Sequence, residues 1–185
     1  MVHRPPRLPL IVVLALGCGR PQLVPRSAPG VQVASITVTS PTFAEGARIP
    51  VDFTCDGQEM IPELVLSSPP EGTRSLVILV EDNDAPSGPL THMVAFNVAP
   101  GTRKLASGVE LTGVGDSAAF GLNDFHVAHY SGPCPPKGEG HRYRFRVLAI
   151  DKVLKLTEGA PKAQVDEAID GHILGEGSLT GQFAH

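Results

Sequence analysis

The sequence predicts a mainly β fold, a sandwich of antiparallel sheets with one short helix near the C-terminus. Three observations carry this. Twenty glycines and eighteen prolines are scattered through 185 residues, which demands many turns. Apolar stretches are short and alternate or run in blocks of about six, the lengths of strands rather than bundle helices. Apolar residues make up 42% of the chain but aromatics only 5%, with no Trp, so the core is built from Val, Leu, Ile and Ala. One domain accommodates this length, and the even composition marks no second one.

Taken in order, the chain begins with His3, Arg4 and Arg7 and no acid. An apolar run from Leu8 to Leu16, interrupted by Pro9, comes next, and then Gly17-Cys18. This is the layout of an export signal, and the run is far shorter than the roughly 20 residues that span a bilayer. Gly17 before Cys18 resembles the bacterial lipoprotein processing box, which implies acylation of Cys18; a plain secretory signal is the other reading. Residues 1–17 are then a signal, 18–31 a tether rich in Pro and Gly, and 32–185 the folded domain. The expected location is exported, periplasmic or at the cell surface, with the membrane reached only through the lipid.

Strand signals start at Val31. Val31, Val33 and Ser35 alternate with Gln32 and Ala34, and Ile36-Thr37-Val38-Thr39 continues a β-branched run. Pro50–Cys55 alternates again and closes on an Asp56-Gly57 turn. Ser75–Val80 is apolar on both faces, as a central strand is, and His92–Val98 reads as a second interior strand. Arg142–Ile150 is a long strand on which Arg142, Arg144 and Arg146 line one face, read as solvated. Pro161 suits the first turn of a helix whose buried stripe is Val165, Ala168, Ile169 and His172, with Asp166 and Glu167 outward; His172 is therefore read as structural. Ser178–Phe183 is the expected last strand.

The chemistry gathers at strand ends. Asp82-Asn83-Asp84-Ala85-Pro86 leaves the central strand, and His92 opens the next. The loop from Gly132 to Gly140, with Pro133, Pro135 and Pro136, excludes regular structure and delivers His141 and Tyr143 to one side of a strand. Imidazole N–H, phenol O–H and loop amides are donors suited to an anion, whereas Asp82 repels one unless it accepts from a ligand group or a histidine. Structural readings stand beside these: Asp82 and Asp84 as acceptors for turn amides, His92 and His141 as hydrogen-bonded core histidines, Tyr143 as core. Cys55 and Cys134, an even pair in an oxidising compartment, form either a disulfide that pins the loop or two free buried thiols.

Asp82-Asn83-Asp84-Ala85-Pro86 with His92, the Gly/Pro loop and His141-Arg142-Tyr143 together resemble the two signature motifs of the phosphatidylethanolamine-binding protein family, in its bacterial Raf-kinase-inhibitor-like branch. Thr54-Cys55-Asp56-Gly57, Gly121-Leu122-Asn123-Asp124 and Gly171-His172-Ile173-Leu174 fit it too. The resemblance spans about residues 35–183. It implies a β-sandwich with a pocket in which Asp82, His92, His141, Tyr143 and the amides of Gly132 and Cys134 bind a small anionic or phosphorylated ligand. Leu90-Thr91 stands where the family usually places aromatic residues, which implies a less aromatic pocket wall.

Three function classes follow. The first is a non-catalytic binding protein without cofactor that regulates a partner. The second is a kinase or serine-protease inhibitor acting through a surface loop such as Val109–Ala119. The third is a metal-assisted acid–base enzyme using Asp82, His92 and His141, against which no local metal-ligand spacing and no paired nucleophile and base are present. The net charge of −4 becomes more negative once residues 1–17 are lost, since they hold two arginines and no acid. That acidity and the lack of a basic stripe exclude a nucleic-acid role.

Overall fold

The computed structural model describes residues 32–106, 113 and 118–185. The signal, Cys18, the tether and most of the Val109–Ala119 segment lie outside them. Nine strands and one helix are described: β1 (Ala34–Ser35), β2 (Val38–Thr39), β3 (Leu64–Leu66), β4 (Ser75–Asp82), β5 (Leu90–Val98), β6 (Lys104–Leu105), β7 (Ala119–Gly121), β8 (His141–Ile150), α1 (Lys162–Ile169) and β9 (Ile173–Phe183). They form a six-stranded sheet in the order β1-β9-β8-β4-β5-β7 and a three-stranded sheet β2-β3-β6. Pairing is antiparallel throughout except for β1 on β9.

The central strand β4 explains its own composition. Its alternate residues Leu76, Ile78 and Val80 face Val38, Leu64, Leu66 and Leu105 of the small sheet. Val77 and Leu79 face the other way, onto Val165 and Ile169 of α1. A strand covered on both faces needs an unbroken apolar run, which is what Ser75–Val80 supplies. The mainly β sandwich with a C-terminal helix is the observed architecture.

Several expectations are corrected. The β-branched run near residue 31 is two short strands in different sheets, because the chain crosses the sandwich corner at Ile36-Thr37. There the Ile36 amide donates to the Glu176 carbonyl, and the Thr37 amide donates to Ser67 Oγ. Pro50–Cys55 is not a strand: Val51–Phe53 is a 3-10 turn, closed by Thr54, whose amide and hydroxyl both donate to the Val51 carbonyl. The helix ends at Ile169, so His172 falls beyond the stripe and pairs with Asp151 at 2.7 Å in solvent. Asp166 points inward, held by Lys162 at 2.7 Å. Arg144 and Arg146 do not line a solvated face, since both bind Glu176. Burial alone disfavours the Glu176 charge, but the two guanidiniums outweigh it and lower its pKa.

The last strand is five residues longer at its start than expected. Gly175 and Gly177 both lie inside β9. A Cβ on Gly177 would stand 1.9 Å from the Ile36 carbonyl oxygen, so the glycine serves the close approach of β1 rather than a bend.

Candidate functional site

The site assembles at the end of β4 from three adjacent strands. Register places Asp82 directly opposite Tyr143 on β8, with His141 two residues earlier on the same face. The β4–β5 register slips between the pairs Val80–Met93 and Glu81–Thr91, leaving His92 in a bulge. A bulge re-aims a side chain, and here the His92 ring meets Tyr143 edge-on, with centroids 5.3 Å apart. Asp82, His92, His141 and Tyr143 are all buried, none more than 4% exposed.

Asp82 is the hub. Its Oδ2 accepts from His141 Nδ1 at 2.7 Å and its Oδ1 accepts the amide of Asp84 at 2.9 Å. Burial opposes a charge on His141, but the hydrogen bond and charge of Asp82, helped by Glu139, prevail and raise its pKa. Asp84 in turn accepts from the Arg142 backbone amide, Nε and Nη2, and the Arg142 hydrogen bond holds the Asp84 carboxyl at about 2. The turn-amide reading of Asp82 is present in the geometry, together with its acceptance from a histidine.

Among the described residues three buried side-chain polar atoms have no hydrogen-bond partner, Asp166 Oδ1 on α1 and, at this site, His92 Nε2 and Tyr143 Oη. His92 Nδ1 donates to the Ser131 carbonyl at 2.8 Å. Burial first, then the nearby Asp82 charge, pushes the Tyr143 pKa up, so the phenol keeps its proton; the Cys134 amide works against that shift from the other side. Cys134 is bonded to Cys55, with Cα atoms 5.5 Å apart across 79 residues of sequence. The Cys55 amide also donates to the Pro133 carbonyl, and Tyr130 Oη donates to the Phe53 carbonyl. The Gly/Pro loop is therefore clamped to the 51–60 segment. Gly132 belongs to that clamp: its amide donates to Glu59 Oε2 at 3.1 Å, and a Cβ there would meet Thr54 backbone at 2.9 Å. This corrects the expected role of its amide, which is not free for a ligand.

The loop after β7 entered the sequence reading only as a matching motif, Gly121-Leu122-Asn123-Asp124, with no role assigned. Asn123, 3% exposed, ties it into a knot: its Nδ2 donates to the carbonyls of His92 and His129 and to Ser131 Oγ, and its Oδ1 accepts the amides of Phe125 and Val127. Asp124 Oδ2 accepts the Thr91 amide. The knot sets Phe125, 46% exposed, edge-on against the His92 ring at 5.1 Å. An aromatic wall is thus present, supplied from this loop and not from positions 90–91; an Asn followed by an aromatic two residues on was the available signal. Beside His141 an open depression of about 560 Å³ is lined by Asp84, Glu139, Gly140, Arg142 and Gln182.

The family profile described as phosphatidylethanolamine-binding protein matches residues 39–184, a span that contains every residue of this site. The chain belongs to that family. Among its relatives, the UPF0098 protein PH1269 of Pyrococcus horikoshii is 36% identical over 180 residues, covering 95% of this chain and 86% of that one. A Mycobacterium tuberculosis protein named as a candidate lipoprotein, LppC, is 36% identical over 201 residues, covering 98% and 97%. Two solved structures share the fold. One is the phosphatidylethanolamine-binding protein homologue CT736 of Chlamydia trachomatis, with TM-score 0.74, 36% identity and coverage of 82% and 98%. The other is Escherichia coli YbcL, described as a member of the mammalian family, with TM-score 0.73, 27% identity and coverage of 82% and 99%. None of these names is that of an enzyme, and the bacterial branch is consistent with them.

Proposed function

We propose that this family member is a non-catalytic binding protein whose pocket takes a small anion or phosphate headgroup, and that it regulates a partner protein. The observation that carries the reading is the pair of buried, unpartnered atoms, His92 Nε2 and Tyr143 Oη, beside the Asp82–His141 pair. Leaving a polar group buried and unsatisfied costs about 1–3 kcal/mol, which a bound ligand relieves. His141, whose pKa Asp82 and Glu139 raise against its burial, supplies the attraction for an anion when protonated. Isothermal titration with phosphate, phosphoethanolamine and acetate, repeated on His141→Ala and Asp82→Ala, tests it. Binding that disappears in both variants supports the pocket; binding that survives in both sinks it.

The metal-assisted reading draws less support, because both nitrogens of His141 face carboxylates, Nδ1 on Asp82 at 2.7 Å and Nε2 toward Glu139 at 3.5 Å. The inhibitor reading rests on a segment mostly outside the described residues. For location, the similarity to a lipoprotein candidate and the Gly17-Cys18 pair support export with acylation of Cys18. Radiolabelled palmitate incorporated by the native chain and lost in Cys18→Ser is the expected result, and label retained by the variant would sink it. Among the described residues no helix is long and apolar enough to cross a membrane.

A further inference from the structure

Outside the rim, three metal-ligating side chains from distant segments converge. Cys55 Sγ of the 51–60 segment, Cys134 Sγ of the Gly/Pro loop and a ring nitrogen of His185, just past β9, all lie within 4.8 Å of one another. His185 is fixed in place: its ring meets Phe183 edge-on at 5.6 Å, Arg48 Nη2 donates to the Ala184 carbonyl beside it, and its Nδ1 pairs with Asp56 Oδ2 at 2.9 Å. Its Nε2 lies 2.8 Å from the carbonyl oxygen of Pro135, the residue after Cys134. A carboxylate on one ring nitrogen is the arrangement that orients a zinc-binding histidine, because it sets the tautomer and aims the other nitrogen's lone pair. The two cysteine segments are also joined without their sulfurs. The Cys55 amide donates to the Pro133 carbonyl, the Tyr130 hydroxyl to the Phe53 carbonyl and the Gly132 amide to Glu59.

We propose that Cys55, Cys134 and His185 form a redox-gated zinc site, closed while the disulfide stands and opened when a dithiol reduces it. The ligand a cysteine offers is its thiolate, so the bonded pair cannot hold the ion. Cys134 is exposed and Cys55 half-buried, which makes Cys134 Sγ the sulfur that is attacked. A thiolate of the dithiol bonds to it, the S–S bond breaks and Cys55 leaves as a thiolate; the second thiol then displaces Cys134. Two electrons and two protons pass from the dithiol, which becomes a disulfide. The three backbone and side-chain links keep the freed sulfurs together, with Cα atoms 5.5 Å apart, close enough for both to reach one zinc at about 2.3 Å. Zinc displaces the two thiol protons to solvent, and His185 Nε2 exchanges the Pro135 oxygen for the ion while Asp56 holds Nδ1. Soft thiolates favour zinc over magnesium or calcium, and three protein ligands leave a fourth position open. The site shares the Gly/Pro loop with the rim but none of the side chains Asp82, His92, His141 and Tyr143, and the ion refastens the loop that reduction loosens.

The test uses the full chain carrying Cys18→Ser, so that Cys55 and Cys134 are its only cysteines. It is reduced with a dithiol, freed of it under anaerobic conditions, and titrated with Zn2+ and with Co2+, whose thiolate charge-transfer absorption reports sulfur ligation. The reduced chain is expected to bind one ion at least about a hundredfold more tightly than the unreduced chain, which has no thiolate to offer and should show no charge-transfer band. Zinc should raise the melting temperature of the reduced chain and leave that of the unreduced chain where it was. His185→Ala, folded with its disulfide in place and then reduced, should lose at least about tenfold in zinc affinity, and Asp56→Asn, which takes the carboxylate from Nδ1, about tenfold. Zinc affinity unchanged by reduction overturns the inference. So does an affinity of reduced His185→Ala within about threefold of the parent's, since the ion would then sit on a bare thiol pair.

Discussion

Tyr143 separates binding from stability at the level of a single atom. Its hydroxyl is buried without a partner, so Tyr143→Phe removes an unsatisfied group and leaves the packing in place. The variant should be as stable as the parent or more stable by up to about 1 kcal/mol in urea titration, while losing phosphate affinity. A loss of stability instead would mean that the hydroxyl already has a partner in the folded protein. His141 gives the second residue-scale prediction. Its pKa is raised in the fold through Asp82, so the pair's contribution to stability is complete below about pH 6.5, the unfolded value, and is lost as pH rises through the higher folded value. An NMR titration should place the His141 midpoint above that of an exposed histidine, and Asp82→Asn should bring it down. Asp84 has the opposite sign: its pKa of about 2 gives stability that is present above the normal carboxyl range and fades as pH falls toward that value.

Glycines in β9 and the disulfide decide matters at the level of elements. A Cβ on Gly177 would overlap the Ile36 carbonyl, and one on Gly181 would stand 2.5 Å from Ile49 Cγ1. Gly177→Ala is expected to destabilise by about 1–3 kcal/mol, as overpacking does, because its neighbour is backbone; a melting temperature equal to that of the parent would contradict the register of β1 on β9. The Cys55–Cys134 bond holds the Gly/Pro loop against the segment that also receives Tyr130 and Gly132. Its removal in a Cys55→Ser, Cys134→Ser pair should cost about 2–4 kcal/mol and weaken phosphate binding, since the Cys134 amide lies beside Tyr143. Retained affinity at reduced stability would show that the loop keeps its place without the bond.

Across the whole molecule, two cores share the large sheet, one against the small sheet and one against α1. Leu79 faces the helix side, away from the pocket, so Leu79→Ala should cost about 2–5 kcal/mol in chemical denaturation yet leave phosphate affinity as it was. Much of this architecture was legible beforehand. The apolar run Ser75–Val80 named the central strand because burial on both faces admits no polar residue, and the Gly/Pro loop named a rigid turn because proline cannot enter a ladder. The short strands near residues 34–39 and the 3-10 turn at 51–53 were not legible. Their alternation is that of a strand, and only contacts with Glu176, Ser67 and the Thr54 hydroxyl decide otherwise.

The site divides along the same line. Asp82, His92, His141 and Tyr143 could be named from the chain, because they stand at strand ends and together resemble the family's two signature motifs. What each one does could not. The bulge that turns His92 toward Tyr143, the tautomer set by Ser131, the capture of the Gly132 amide by Glu59 and the arrival of Phe125 on the knot around Asn123 all depend on segments distant in sequence. The sequence by itself determined the fold class, the central strand and which side chains meet at one rim, since periodicity and backbone stiffness act over a few residues. Only the tertiary structure decided which of their polar atoms are left unpaired, because hydrogen-bond satisfaction in a buried site is settled by whatever the rest of the chain brings within about 3 Å.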